Sequence, residues 1–121
     1  MNRPRVLLAD DHQAILDRVS HQLADEFDII ATVRDGQAAV DAITVLKPDA
    51  VVLDISMPRL NGLEAAKQAS ALPNPPRIVF LTAHDDPDFR SAAAGVGASG
   101  YVLKSALCTQ LAEALRHALR R

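Results

Sequence analysis

Five short apolar runs limit what this chain can fold into: Val6 to Ala9, Ile29 to Val33, Ala50 to Leu53, Ile78 to Leu81 and Tyr101 to Leu103. Each is too short for a globular helix and is bounded by polar or turn residues, so each reads as a strand. Between and after them lie apolar residues at helical spacing: Ile15, Val19 and Leu23; Ala39, Ile43 and Leu46; Leu63, Ala66 and Ala69; Leu107, Leu111 and Leu115. Pro87 to Val96 is a weaker helix. Pro87 suits a first turn and Ala92-Ala93-Ala94 is its only strongly helix-favouring stretch, so it should be the loosest of the five. Asp35-Gly36, Lys47-Pro48, Asn61-Gly62, Pro73 to Pro76 and Gly97 to Gly100 fall between these elements as turns.

Strands alternating with helices indicate an α/β fold: a parallel sheet with right-handed crossovers and helices on both faces. For five such units the common doubly wound order is 2-1-3-4-5, with the ligand crevice between strands 1 and 3. Hydrophobic residues make up 49% of the 121, but aromatics only 3%, so the core is built from Val, Leu, Ile and Ala, which suits helix-on-sheet packing. With no internal repeat or linker, residues 1–121 are expected to form a single domain.

The formal charge of -2 and pI near 6.0 give no basic footprint for nucleic acid, so direct nucleic-acid binding by this segment is not expected. Cys108 is the only cysteine, which excludes an internal disulfide or a thiolate metal cluster and makes the cytoplasm the default location. Met1-Asn2-Arg3-Pro4 leads straight into the first strand without a long apolar stretch, and no segment has the apolar length of a membrane span.

The polar residues that close the strands carry the chemistry. Asp10-Asp11 ends strand 1 and Asp54 ends strand 3, which puts three carboxylates at the switch point of the sheet. Crowded carboxylates repel, and a divalent cation neutralises them. The donors are hard oxygens and no Cys or His stands at ligand spacing, so Mg²⁺ or Mn²⁺ is expected, with Asp11 and Asp54 as ligands. Thr82 and Lys104 end strands 4 and 5 and deliver a hydroxyl and an ammonium to the same edge. Together these groups describe a phosphoryl site: Asp54 as in-line nucleophile, Thr82 donating to a phosphoryl oxygen, and the metal and Lys104 neutralising charge.

Each group also has a plainer explanation. Asp10 and Asp11 could cap the helix beginning near Gln13, Asp54 could form a turn, and Thr82 suits a strand end. Lys104 could be a solvated charge and Tyr101 a core residue with a wet hydroxyl. Jointly these require four unrelated accidents on one sheet edge. His12, His21, His84 and His117 are scattered and suggest no metal site of their own.

From near residue 5 to near residue 119 the chain resembles the response-regulator receiver domain of bacterial two-component signalling. Leu8-Ala9-Asp10-Asp11-His12 is similar to that family's acidic pair, and Asp54-Ile55-Ser56-Met57-Pro58-Arg59-Leu60-Asn61-Gly62 to its phosphoacceptor loop. Leu81-Thr82-Ala83 resembles its switch-threonine segment, and Gly100-Tyr101-Val102-Leu103-Lys104 completes the set. The acidic pair with His12, Thr82-Ala83-His84 and the final strand look most like receivers of the NarL/FixJ kind.

The resemblance implies a flavodoxin-like fold and a phosphorylation switch rather than a turnover enzyme. A sensor histidine kinase would donate a phosphoryl group to Asp54, with Mg²⁺ (or Mn²⁺) held by Asp10, Asp11, Asp54 and the Ser56 backbone carbonyl. Thr82 and Lys104 would then be drawn to the phosphate, and Tyr101 would turn inward. Ser56 and His84 border the phosphate in the family and would influence its lifetime. Related receivers homodimerise through the fourth helix, fifth strand and fifth helix, or through the first and fifth helices. NarL/FixJ receivers usually precede a LuxR-type helix-turn-helix that binds DNA; no such effector domain is present in these residues, and the expected output is transcription control. Ser105 stands where many receivers have proline, which puts the cis peptide often found there in doubt.

Two other functions are compatible with parts of the pattern. One is a Mg²⁺-dependent phosphohydrolase of the haloacid-dehalogenase kind, although position 56 is Ser where that family has a second aspartate. The other is an interaction domain that works without phosphorylation.

Overall fold

The computed structural model describes residues 3–120. In chain order the elements are β1 (Arg5–Ala9), α1 (Gln13–Leu23), β2 (Asp28–Val33), α2 (Gly36–Leu46), β3 (Ala50–Leu53) and α3 (Gly62–Ser70), then β4 (Arg77–Thr82), α4 (Pro87–Gly95), β5 (Gly100–Leu103) and α5 (Leu107–Leu119). A short 3-10 turn, Lys104–Ala106, joins β5 to α5. All neighbouring strands are parallel and the order is β2-β1-β3-β4-β5, as expected from the alternation of periods. The Lys104-Ser105 peptide is trans.

The strands read as continuous apolar runs because both faces of the sheet are covered. β3 is buried at every position, and its alternate residues enter two cores: Ala50 and Val52 join Leu16, Val19, Leu111 and Leu115 of α1 and α5, whereas Val51 and Leu53 join Ile43, Ala65 and Ala69 of α2 and α3. The pleat alternates side chains between faces, so a continuous apolar run supplies both layers. Alanines on α3 permit close approach of the helix to the sheet, in place of the aromatics that the composition lacks.

The helical stripes fall as expected at most positions, but Leu46 of α2 and Leu63 of α3 are only partly buried, Ala65 taking the inner place in α3, and α1 shifts by one residue. In α1 the buried positions are Leu16, Val19 and Leu23, and Ile15 is only partly buried. Ile15 and Leu16 both lie near the apolar face at a period of 3.6, and Leu16 has the inner place. α4 fully buries only Ala93, fewer side chains than any other helix, which agrees with its weak pattern. Its start is nonetheless well defined: Asp86 Oδ1 accepts the Asp88 N–H at 2.8 Å, and Pro87 occupies the first turn. Arg116 lies in the last turn of α5, a favourable place for a cation, and Arg120 follows it; Arg121 lies outside the described residues.

Candidate functional site

Register brings the site together. Ala9 pairs with Leu53 and Leu53 with Phe80, while Thr82 pairs with Leu103. The residues that end or follow these strands, Asp10, Asp54, Thr82 and Lys104, therefore emerge at one edge of the sheet. The backbone fixes the first two: Asp54 N donates to Ala9 O at 2.9 Å and Asp10 N to Val33 O at 3.1 Å. Asp10, Asp54 and Thr82 are the buried polar side chains among the described residues, at 3%, 3% and 1% exposure. Burial of a charge is costly without partners, so their convergence marks a site rather than three turns.

Lys104, with a side chain 14% exposed, supplies the counter-charge. Its Nζ lies 2.8 Å from Asp10 Oδ2 and 3.2 Å from Asp54 Oδ2. The Asp54 contact is a well-aligned hydrogen bond, whereas the buried oxygens Asp10 Oδ2 and Asp11 Oδ1 meet their nearby donors only as close ion pairs. One ammonium does not satisfy this many carboxylate oxygens. Burial, followed by the nearby Asp10 charge, raises the Asp54 pKa above the ordinary carboxylate value, despite the opposing pull of Lys104 and the Ser56 N–H. Burial alone would lower the Lys104 pKa, but Asp10 and Asp54 together outweigh it and hold the ammonium above its ordinary value.

The acidic pair is not spent on capping. His12 occupies the position before α1 and makes no side-chain cap, whereas Asp10 Oδ1 accepts the His12 N–H at 2.9 Å. The His12 ring turns back over the carboxylates, with Nδ1 3.1 Å from Asp10 Oδ1 and 3.0 Å from Asp11 Oδ1. Asp10, Asp11, His12 and Asp54 each offer a ligand atom, all within 4.8 Å of one another. The clustered carboxylates, which offer more oxygens than Lys104 and His12 can satisfy, fit a hard divalent cation. His12 corrects the expectation from spacing that no histidine lies within ligand reach. The Asp10 Oδ1 that accepts the His12 N–H also faces its ring nitrogen, a local turn that residue spacing does not report.

The other expected residues take these places. Thr82 Oγ1 accepts the His84 N–H at 3.3 Å, so its own proton is not engaged by that bond. Ser56 is exposed, and its N–H reaches Asp54 Oδ1 at a long 3.4 Å. His84 is exposed. Tyr101 is half-buried, and its hydroxyl donates to the His84 carbonyl at 2.9 Å.

Two supporting features were not visible as site residues in the sequence. Gly62 lies so close to the loop that a Cβ there would stand 2.0 Å from the Asp54 carbonyl oxygen. The loop is also braced from α2: Asp35 caps that helix through the Ala38 N–H at 2.8 Å, and its second oxygen lies 2.6 Å from Arg59 Nη1. The Ala38 N–H above all, with help from Arg59, lowers the Asp35 pKa. Arg59 has a left-handed backbone, φ 66°, a conformation that costs a non-glycine residue energy and is held here by this contact. Asp35-Gly36 was legible only as a turn, and Asn61-Gly62 as a turn closing the segment that resembles the phosphoacceptor loop.

No helix among the described residues is long and apolar enough to cross a membrane. A family model described as the response regulator receiver domain matches residues 6–116. The transcriptional regulatory protein DegU of Brevibacillus brevis is 33% identical over 117 residues, a match covering 95% of this chain and 50% of DegU. The positive alginate biosynthesis regulatory protein of Pseudomonas aeruginosa is 37% identical over 118 residues, covering 95% and 47%. The chain thus spans about half the length of these curated relatives. Among solved structures, the signal receiver domain of the putative response regulator NarL from Mycobacterium tuberculosis superposes with a TM-score of 0.94 at 28% identity, covering 99% of this chain and 98% of that one. With fold, strand-end residues and relatives in agreement, the chain belongs to the response regulator receiver domain family.

Proposed function

We propose that this receiver domain accepts a phosphoryl group on Asp54 from a sensor histidine kinase and changes conformation in response. The observation that carries this reading is the buried Asp54 carboxylate, 3.2 Å from the Lys104 ammonium and beside Asp10 and Asp11. An Asp54 oxygen attacks phosphorus, forming the new O–P bond as the P–N bond to the donor histidine breaks; the departing imidazole keeps that electron pair and takes up a proton. Lys104 neutralises charge on the phosphoryl oxygens, and Thr82 donates its free proton to one of them. Ser56 and His84 flank the phosphorylated carboxylate and tune its lifetime by controlling access of water.

Asp10, Asp11 and Asp54, with the Ser56 carbonyl, are assigned to Mg²⁺ or Mn²⁺, which when bound supplies positive charge to the phosphoryl oxygens. The chemistry is limited to taking up one phosphoryl group per chain and losing it again to water, so the domain acts as a switch and not as a turnover enzyme. A Ser at position 56, where haloacid-dehalogenase phosphohydrolases carry a second aspartate, favours this over the hydrolase alternative.

The expected setting is the cytoplasm, the expected response includes homodimerisation, and the expected output is a DNA-binding domain controlling transcription; among the relatives, DegU is named a transcriptional regulatory protein. The test is to incubate the protein with Mg²⁺ and a small acyl phosphate and record its intact mass. One added phosphoryl group, lost in Asp54→Asn, supports the reading; no addition to the wild type contradicts it.

A further inference from the structure

Tyr101 is held from three directions. Its hydroxyl donates to the His84 carbonyl at 2.9 Å, its ring rests against the buried side chains of the α2–α3–α4 face, and the Arg90 guanidinium carbon lies 4.4 Å from the ring centroid. Arg90 is itself anchored, with Nε donating to Asp85 Oδ1 at 2.8 Å. His84 and Asp85 belong to the segment that leaves Thr82. The acceptor for the phenol and the anchor for the guanidinium therefore move with that segment.

We propose that Arg90, anchored by Asp85, is a positioning residue that clamps Tyr101 in its docked place and ties the segment after Thr82 to β5. The purpose of the clamp rests on the receiver reading above; its geometry does not. An exposed Asp–Arg pair alone contributes little. A guanidinium stacked on a tyrosine face adds a directional attraction that shifts a docked-to-released equilibrium by roughly two- to five-fold at such a site. α4 fully buries only Ala93, and its first turn is otherwise held by the partly buried Phe89, so the Arg90–Tyr101 contact adds a second tie between that turn and the sheet. Tyr101 is already turned inward in this structure, so movement of Thr82 toward a phosphorylated Asp54 would carry both anchors of a docked ring with it, and the clamp would pass that displacement to the α4–β5 surface.

The chain has one tyrosine and no tryptophan, so its intrinsic emission reports Tyr101 alone. In unphosphorylated protein, Arg90→Ala is expected to raise the acrylamide quenching constant of this emission, by at most about the five-fold shift in the docked-to-released equilibrium. Arg90→Lys, which keeps the charge but not the planar stack, should fall between, and Asp85→Asn should raise quenching less than Arg90→Ala. The same order is expected in an Asp54→Asn background, which separates the clamp from the phosphorylation chemistry. Equal quenching in wild type and Arg90→Ala overturns the proposal; if Arg90→Ala unfolds, equal quenching in wild type and Asp85→Asn does so. With Mg²⁺ and a small acyl phosphate, wild type and Arg90→Ala should show the same added mass, but the emission change should be smaller in the variant. Equal emission changes at equal added mass overturn the coupling role. Absence of added mass contradicts the receiver chemistry and leaves the clamp to be judged on quenching alone.

Discussion

The Lys104 ammonium, delivered by the end of β5, lies 3.2 Å from the carboxylate of Asp54, delivered by the end of β3. The same ammonium lies 2.8 Å from Asp10 Oδ2, so one cation holds two buried anions together. Removing it leaves both carboxylates without their counter-charge. Lys104→Met is expected to lose about 1–3 kcal/mol of stability, measured by urea unfolding in EDTA. Saturating Mg²⁺ should restore much of that loss, since an ion bound only by the folded state adds about 2.7 kcal/mol at a hundred times its Kd. Failure of Mg²⁺ to stabilise either protein would remove the metal from the account.

Asp54 makes a prediction of opposite sign. Burial and the Asp10 charge raise its folded pKa, so the folded state binds the proton more tightly than the unfolded chain. Its favourable contribution is therefore fully present below the unfolded value of 3.8 and is lost as pH rises through the folded pKa. At neutral pH without metal, Asp54→Asn should melt a few degrees higher than the wild type. The difference should shrink as pH falls through the carboxylate range and shrink again when Mg²⁺ is added. Thermal melts at several pH values in EDTA check the sign.

The loop that carries Asp54 offers a test of close packing. A methyl group at position 62 would meet the Asp54 carbonyl oxygen at 2.0 Å, so Gly62→Ala should cost about 1–3 kcal/mol and weaken Mg²⁺ binding by displacing the loop. Arg59→Gly loses the contact to Asp35 but relaxes a left-handed residue, and should change stability by less than about 1 kcal/mol. Denaturant unfolding and Mg²⁺ titration calorimetry on the two variants separate loop strain from loop position.

Much of this was legible because a doubly covered sheet demands apolar strands. Asp54 after Ala50 to Leu53 and Thr82 after Ile78 to Leu81 stand out for that reason, and the alternation of strands and helices set the order that puts Asp10 beside Asp54. What stayed hidden depends on backbone direction and on contacts without a period. The His12 ring faces Asp10 and Asp11 through a local turn, Arg59 reaches Asp35 from a left-handed turn, and Arg90 meets Tyr101 across separate elements. Leu16 displaced Ile15 from the core because neighbouring positions on a helix share an apolar edge.

The central claim is that the buried carboxylate of Asp54 forms the bond to phosphorus. Borohydride reduces an aspartyl phosphate to homoserine, so protein treated with Mg²⁺ and a small acyl phosphate can be reduced, digested and sequenced by mass spectrometry. Homoserine at position 54, absent when the acyl phosphate is omitted, is the predicted result. Phosphoryl uptake with homoserine at another aspartate and none at position 54 would contradict the account.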